Sequence, residues 1–341
     1  MALTVWGIVA VLKGNVSGSA IVPAFARCCS VHCALTSALT PRLALLLTLP
    51  PLLWAGNAVV GRAMVGSVPP LALNAMRWWL ALALLLPLGW RALREPAQIA
   101  SRWKHFAWLG LLGVGSYNAL QYLAVQTSTP LNVTLIAASS PLWMLLVGLL
   151  FYREQPSARQ LLGAALSLAG VLLVISRGSL AALREVHLVP GDLFMLLAVL
   201  LWAGYSWMLA RPPAHLRDAA RPAWNWAEFL LVQMLFGTAW ATLAAAAEAP
   251  LASVSIHWTP AVAAALLYVA IGPSLIAYRA WGLGVATVGP TVATFFANLT
   301  PVFAGLLSAA LLGEAPRWYH AAAFALIAAG IVVSALGARR R

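Results

Sequence analysis

From residue 42 onward the chain alternates long apolar runs with short polar punctuation, and the runs have bilayer-crossing length. About 17–25 apolar residues span the hydrocarbon as a helix. That rule marks ten spans, at 42–61, 68–88, 106–125, 129–151, 159–175, 190–210, 227–247, 258–278, 284–312 and 318–337. Pro69-Pro70 precedes the second, Gly89 follows it, and Arg211-Pro212-Pro213 closes the sixth, all residues that interrupt helices. Helical periodicity is weak inside the runs, because a helix between lipid and apolar protein has no polar face to display. A membrane barrel would show shorter alternating strands, whereas these are continuous Leu, Ala and Val. The pattern predicts an all-α polytopic membrane protein.

Composition agrees, since only 9% of the 341 residues are charged and 62% are hydrophobic, too little polar surface for a soluble protein. The net charge of +13 does not imply nucleic acid, because the charges lie almost wholly in the connections. With both ends on one side, that side carries Arg91, Arg94, Arg102, Lys104, Arg153, Arg159, Arg211, Arg217, Arg221, Arg279 and the tail Arg339, Arg340 and Arg341. The other side carries Arg62, Arg177, Arg184 and Arg317. The positive-inside rule then places both termini in the cytoplasm. Residues 1–41 fit less well. Their apolar run, 3–12, is too short to span and lacks the order of a signal peptide, so a cytoplasmic extension and a start codon set too far upstream both account for it. Cys28, Cys29 and Cys33 lie there beside His32 without the spacing of a usual zinc module, so free thiols and no metal are expected.

The chain repeats itself at an offset of 160. Pro130 meets Pro290, Thr134 meets Thr294, Pro141 meets Pro301, Glu154 meets Glu314, Pro156 meets Pro316 and Gly170 meets Gly330, without a gap over about 45 residues. A fainter echo links Leu53-Trp54-Ala55-Gly56 with Leu201-Trp202-Ala203-Gly204. The expected organisation is one five-helix repeat over 42–175, a short periplasmic connection at 176–189, a second repeat over 190–337 and a basic tail at 338–341. Five is odd, so the second repeat enters from the opposite face, with the Glu154 hairpin cytoplasmic and the Glu314 hairpin outside. Inverted repeats give one fold two related packings that open to either face, which is what a transporter needs. Pro130, Pro290, Pro156 and Pro316 are expected in first helical turns. Pro141 and Pro301 fall inside spans, where each removes a backbone hydrogen bond and predicts a bend or local unwinding, and these two with Pro156 and Pro316 are the expected kink and gating positions.

One charge sits near mid-depth, Arg77, in Asn74-Ala75-Met76-Arg77-Trp78-Trp79. Arginine at the bilayer centre costs at least about 2.5 kcal/mol, so it should face protein or water. Either it binds a carboxylate or phosphate of a solute, or it pairs with groups of the protein. No Asp or Glu lies near mid-depth, which favours movement down a solute gradient over proton antiport. Polar and aromatic candidates within spans are Asn57, Tyr117, Asn118, Gln121, Tyr122, Thr134, Ser139, Tyr205, Gln233, Tyr268, Tyr278, Trp281, Thr294 and Asn298. Tyr117 with Gln121, and Asn118 with Tyr122, are i,i+4 pairs forming one polar-aromatic stripe. Sixteen tryptophans supply both interface belts and deeper rings, among them Trp54, Trp78 and Trp202. The expected substrate-binding set is Arg77, Trp78, Asn57, Tyr117, Gln121, Tyr205, Trp281 and Asn298. Catalytic motifs are absent: no phosphate-binding glycine loop, no HExxH and no GxSxG. No cofactor is expected.

These residues resemble the drug/metabolite transporter superfamily in its ten-helix, EamA-domain form. The likeness is carried by Leu53-Trp54-Ala55-Gly56-Asn57, by Arg77, and by the hairpins Pro141…Glu154-Gln155-Pro156 and Pro301…Glu314-Ala315-Pro316, with Gly170 and Gly330 behind them. It covers roughly 42–337 and departs in the extra residues at the front. The resemblance implies two inverted five-helix repeats working by alternating access as a monomer in a bacterial inner membrane. Within that group the chain is similar to exporters of amino acids, aromatic ones especially, so the expected solute is a small zwitterion with an apolar side chain. A nucleotide-sugar or organic-phosphate antiporter and a non-transporting scaffold are the rival readings.

Overall fold

The structure, a computed structural model, describes residues 39–128, 130–176, 178–179, 188–252, 254–312 and 317–338. The cysteine cluster, the centre of the 176–189 connection, Glu314, Pro316 and the arginine tail lie outside the described residues. Among those described there is no strand. The α-helices are α1 (Pro41–Ala63), α2 (Pro70–Gly89), α3 (Pro96–Ser101), α4 (Trp103–Leu109), α5 (Tyr117–Thr127), α6 (Pro130–Ala138) and α7 (Ser140–Tyr152). They continue as α8 (Ala158–Ile175), α9 (Pro190–Ala210), α10 (Trp226–Glu248), α11 (Pro260–Val269), α12 (Ala277–Ala297), α13 (Thr300–Leu312) and α14 (Trp318–Ala338). Two π-helical stretches join α4 to α5 (Gly110–Ser116) and α11 to α12 (Ala270–Ile276), and they stand 160 residues apart.

Local chemistry sets these ends. Thr40 and Thr259 accept from the N–H groups of Leu43 and Val262, with proline at the first helical position of α1 and α11. Asn225 caps α10 while Glu228 reaches back to the Asn225 N–H at 2.7 Å. Ser157 and Gln160 form the same reciprocal box at the start of α8. Pro156, expected in that first turn, therefore lies outside the helix, because the Ser-x-x-Gln box fixes the start one residue after Ser157.

Among the described residues seven helices are long and apolar enough to cross a membrane: Pro41–Ala63, Pro70–Arg94, Ala158–Ile175, Pro190–Ala210, Trp226–Leu251, Pro260–Ala297 and Trp318–Leu336. The expected spans at 106–125 and 129–151 are divided by a π-helix and by a break at Ser139. The expected gap at 279–283 needs correction, because α12 runs straight through it. Its direction changes at Gly289, where φ is 82°. Gly282 and Gly284 each cost a helix about 1 kcal/mol, which packing tolerates. Gly289 takes a φ open to glycine, and Pro290 disfavours helical geometry in the residue before it. Arg279 accordingly lies within helix, over the Trp226 ring at 4.8 Å, and not in a connection.

Packing follows small residues. A Cβ built on Gly163 of α8 would stand 2.7 Å from the Gly330 carbonyl oxygen of α14, and one on Gly330 would stand 2.7 Å from that of Gly163. Seven residues further along α8, Gly170 lies against the Ala323 carbonyl. The partner's number falls as the first rises, so α8 and α14 are antiparallel. The same count makes α2 and α10 antiparallel, with Gly89 against Ala227 at one end and the Leu71 N–H donating to Glu248 at the other. α1 packs on α12, and α9 packs on α5 and α7. Leu45, Leu150, Phe151, Leu193 and Leu243 are largely exposed around this bundle, an apolar belt that lipid covers. This is a multi-pass membrane protein.

Candidate functional site

Arg77 lies on the face of α2 that meets α1, α5 and the second π-helix, and it is completely buried. Its Nη1 donates to Asn57 Oδ1 at 2.9 Å and to the Tyr122 hydroxyl at 2.8 Å. Nε and Nη2 both donate to Ser274 Oγ, at 3.0 and 2.7 Å. Around them, Tyr122 donates to Asn57 Oδ1, Asn57 Nδ2 donates to Asn118 and Gln121, and Ser274 donates to the Val269 carbonyl. Every recorded acceptor of Arg77 is neutral. Among the described residues Arg77 is the one buried Lys or Arg, and the one ion pair, Arg211 with Glu154, lies elsewhere. Hydrogen bonds to a charged group contribute about 1.5–3 kcal/mol each, so four of them are of the size needed to offset insertion. The net charge itself stays unpaired, in a medium where it attracts an anion strongly.

Beside this group stands an aromatic cluster. Trp202 is its hub, with ring centroids 5.2 Å from Trp54, 5.4 Å from Trp281, 5.1 Å from Tyr117, 4.9 Å from Tyr205 and 5.6 Å from Tyr278. Trp54 and Trp202, the tryptophans of the two Leu-Trp-Ala-Gly echoes, thus meet edge to face. Trp78 connects the two groups: its ring lies 5.1 Å from Tyr278 and 5.1 Å from the Arg77 guanidinium. Several of these rings have hydrogen-bonded polar ends. Trp281 Nε1 donates to Ser206, Gln233 donates to the Tyr205 hydroxyl, and Trp78 Nε1 donates to Asn74.

The π-helices place two of the acceptors. A π-turn lengthens the hydrogen-bonded loop and leaves backbone carbonyls turned outward. The Gly113 carbonyl accepts from Tyr278, and the Pro273 carbonyl, 160 residues on, accepts from Trp54 Nε1. Each bond ties the bulge to an aromatic ring of the cluster.

Of the expected substrate-binding residues, the structure brings Arg77, Trp78, Asn57 and Gln121 into one network, and Tyr117, Tyr205 and Trp281 into the adjoining cluster. Asn298 stands apart, donating to Ser167 on α8 at 2.8 Å. Pro141 and Pro301 are the second residues of α7 and α13, each just after an interruption, so the local unwinding falls immediately before them. Ser274 was not singled out by sequence reasoning, although it takes two of the four Arg77 bonds. A serine in a membrane helix is unremarked until its neighbour 197 residues away is known.

Contacts between elements hold both ends of the bundle. On the Glu154 side, Arg211 pairs with Glu154, Tyr152 stacks on Trp207 at 4.9 Å, and Trp207 Nε1 donates to the Met144 carbonyl. At the other end, Glu248 accepts from the Leu71 and Ala72 N–H groups at the start of α2. Next to Glu248 lies a cavity of about 630 Å³ reaching Pro70, Gln126 and Val254.

The EamA-like transporter family matches the chain twice, over residues 42–176 and 189–336. An uncharacterized transporter of Archaeoglobus fulgidus is 28% identical, over 85% of this chain and 96% of its own. The aromatic amino acid exporter YddG of Ancylobacter novellus is 26% identical, over 85% of this chain and 95% of its own. A solved crystal structure shares the fold with a TM-score of 0.66 at 24% identity, covering 88% of this chain and 98% of that one.

Proposed function

The chain belongs to the EamA-like transporter family, within the drug/metabolite transporter superfamily, and from that premise we propose that it exports amphipathic amino acids, preferring aromatic or other apolar side chains. The observation that carries this reading is Arg77: a buried cation with neutral partners only, sharing Trp78 with an aromatic cluster. A zwitterion with an apolar side chain matches that juxtaposition. Its carboxylate would take the guanidinium, its ammonium the amide oxygens of Asn57 or Gln121, and its side chain the rings around Trp202. The rings are packed against one another, so admission of solute requires them to part.

The motion we propose is alternating access by ten spans in two inverted repeats. Its support is the antiparallel course of α2 with α10 and of α8 with α14, the second and fifth spans of the two halves. An inverted duplication requires that relation between counterparts. Export would run down the solute gradient from a bacterial inner membrane, with both termini cytoplasmic and the monomer as the working unit. One buried cation is a poor match for a sugar phosphate, which carries two negative charges.

Flux from proteoliposomes loaded with labelled phenylalanine, tryptophan, threonine or a phosphorylated sugar tests the reading. Phenylalanine and tryptophan should leave faster than from protein-free vesicles, with or without a pH gradient. Phosphate-ester exchange without amino-acid movement overturns it, and so does no movement at all.

A further inference from the structure

The two repeats break their fourth and ninth spans at the same place, but they treat the broken ends differently. At the first break the side-chain groups are satisfied: Ser139 Oγ donates to the Ile136 carbonyl, Ser140 Oγ donates to that of Ala137, and Trp143 Nε1 donates to Ser139 Oγ. Thr134 also has a partner. At the second break Thr300 Oγ1 donates to the Ala297 carbonyl, and the correspondence stops there. Thr294, the counterpart of Thr134, is completely buried and its Oγ1 has no partner. Asn298 stands where the first repeat has Ala138. It is 2% exposed, and while its Nδ2 holds Ser167, its Oδ1 has no partner. The Asn298 N–H bonds Phe295, three residues back, and leaves the Thr294 carbonyl without its usual helical donor.

Two buried side-chain oxygens without partners and a carbonyl without its usual donor therefore belong to residues one helical turn apart, at the C-terminal end of the half-helix 290–297. An unpaired buried polar group costs about 1–3 kcal/mol. The C-terminal end of a helix carries a partial negative charge, which favours a cation. A bridging water would accept from the Thr294 hydroxyl and donate to the other two oxygens, but it would leave the negative charge of the helix end unanswered, as a cation bound by the same oxygens would not. No Asp or Glu lies between 277 and 312, so a divalent ion would lack the carboxylates it prefers. Hydroxyl, amide and backbone oxygens at a broken helix within the bilayer are the ligand set of a small monovalent cation.

We propose that the α12–α13 break binds one alkali-metal cation of about sodium's size through Thr294 Oγ1, Asn298 Oδ1 and the Thr294 carbonyl. Binding pins the half-helix to α8 through the Asn298–Ser167 bond, so occupancy stabilises this packing of the second repeat. The site does not depend on which solute is carried, and its test needs no solute.

Thermal unfolding of the purified full chain in detergent, at constant ionic strength, compares sodium chloride with N-methylglucamine chloride. Sodium should raise the Tm progressively with the logarithm of its concentration, by about 3 °C at tenfold excess over its dissociation constant. Thr294→Val keeps the shape and removes the hydroxyl, and Asn298→Ala restores the residue of the first repeat. Each variant should lose the sodium shift. Thr294→Val should unfold no lower than the parent chain in N-methylglucamine, because an unpaired polar group has gone. Equal Tm values for the parent in the two salts overturn the proposal, as does a sodium shift retained in both variants. Failure of amino-acid flux leaves this result untouched, so the two readings fail separately.

Discussion

Replacing Arg77 by Gln removes the one buried cation among the described residues while leaving most of its surroundings intact. Four hydrogen bonds are lost, yet Tyr122 still donates to Asn57 at 2.8 Å and Ser274 to the Val269 carbonyl at 2.7 Å. The acceptors thus keep partners, and the cost of holding a charge in the bilayer, about 2.5–3.5 kcal/mol, is relieved. The net loss of stability should be about 1–3 kcal/mol, within reach of a folded protein. Transport should suffer more. Removing one member of a buried carboxylate–guanidinium pair costs about 3–5 kcal/mol, which is roughly a hundred- to several-thousandfold in rate at low solute. The assay is labelled phenylalanine flux per monodisperse molecule, with the folded fraction measured by size-exclusion chromatography on the same sample. Arg77→Lys keeps the charge but not the fork, and should fall between Gln and the parent. If flux per folded Arg77→Gln molecule equals that of the parent, Arg77 serves structure alone and the carboxylate reading is refuted.

Topology offers the most direct check of inversion. With Cys28, Cys29 and Cys33 replaced by Ser, Glu154→Cys and Glu314→Cys should react with an impermeant maleimide from opposite faces; labelling from one face alone ends the inverted-repeat account. Gly163→Ala and Gly330→Ala each push a methyl to about 2.7 Å from a facing carbonyl, so each should cost about 1–3 kcal/mol. The double variant should cost less than the sum, because one separation of α8 from α14 relieves both clashes; additive Tm losses would show that they do not share a contact. Trp202→Ala removes a ring with five aromatic neighbours and should cost about 3–5 kcal/mol by thermal unfolding, with Trp202→Phe much milder. Glu248→Gln should lower stability by about 0.5–2 kcal/mol, since its carboxylate holds the first free N–H groups of α2; an unchanged Tm would mean that water replaces it at no cost.

What could be read from the chain follows the reach of each force. Lipid imposes a length on every crossing helix, so apolar runs announce themselves without tertiary knowledge. Arg77 was visible for the same reason, as a charge where lipid permits none unaided. The stripe of Tyr117, Asn118, Gln121 and Tyr122 was legible as one helix face, and Asn118, Gln121 and Tyr122 of that face do meet Asn57 or Arg77. Ser274 was not legible, because its role arises from contact between α2 and a segment far along the chain. The π-helices hid for another reason. Gly110-Leu111-Leu112-Gly113 and Ala270-Ile271-Gly272-Pro273 share almost no residues, and their correspondence is one of backbone geometry. The turn at Gly289 carried a signal in glycine before proline, which the apolar pattern around it obscured.

The features that repeat and those that do not divide along a physical line. The paired π-helices, the paired breaks before Pro141 and Pro301, the two meeting tryptophans and the reciprocal glycine contacts are backbone or packing devices. Under the proposed alternating access each of them is needed in both halves, because what bends in one state must be matched by what bends in the other. Arg77, Ser274 and Asn298 belong to one half only. If the solute is an amino acid, as proposed, its polar end and its apolar side chain cannot lie evenly across a two-fold axis, so the groups that would hold it gain nothing from being doubled. A second buried arginine would add an insertion cost of about 2.5 kcal/mol or more for no further carboxylate to bind. Duplication therefore conserves the mechanics and frees the chemistry to diverge, and the residues that break the repeat are where a search for solute and ion contacts should begin.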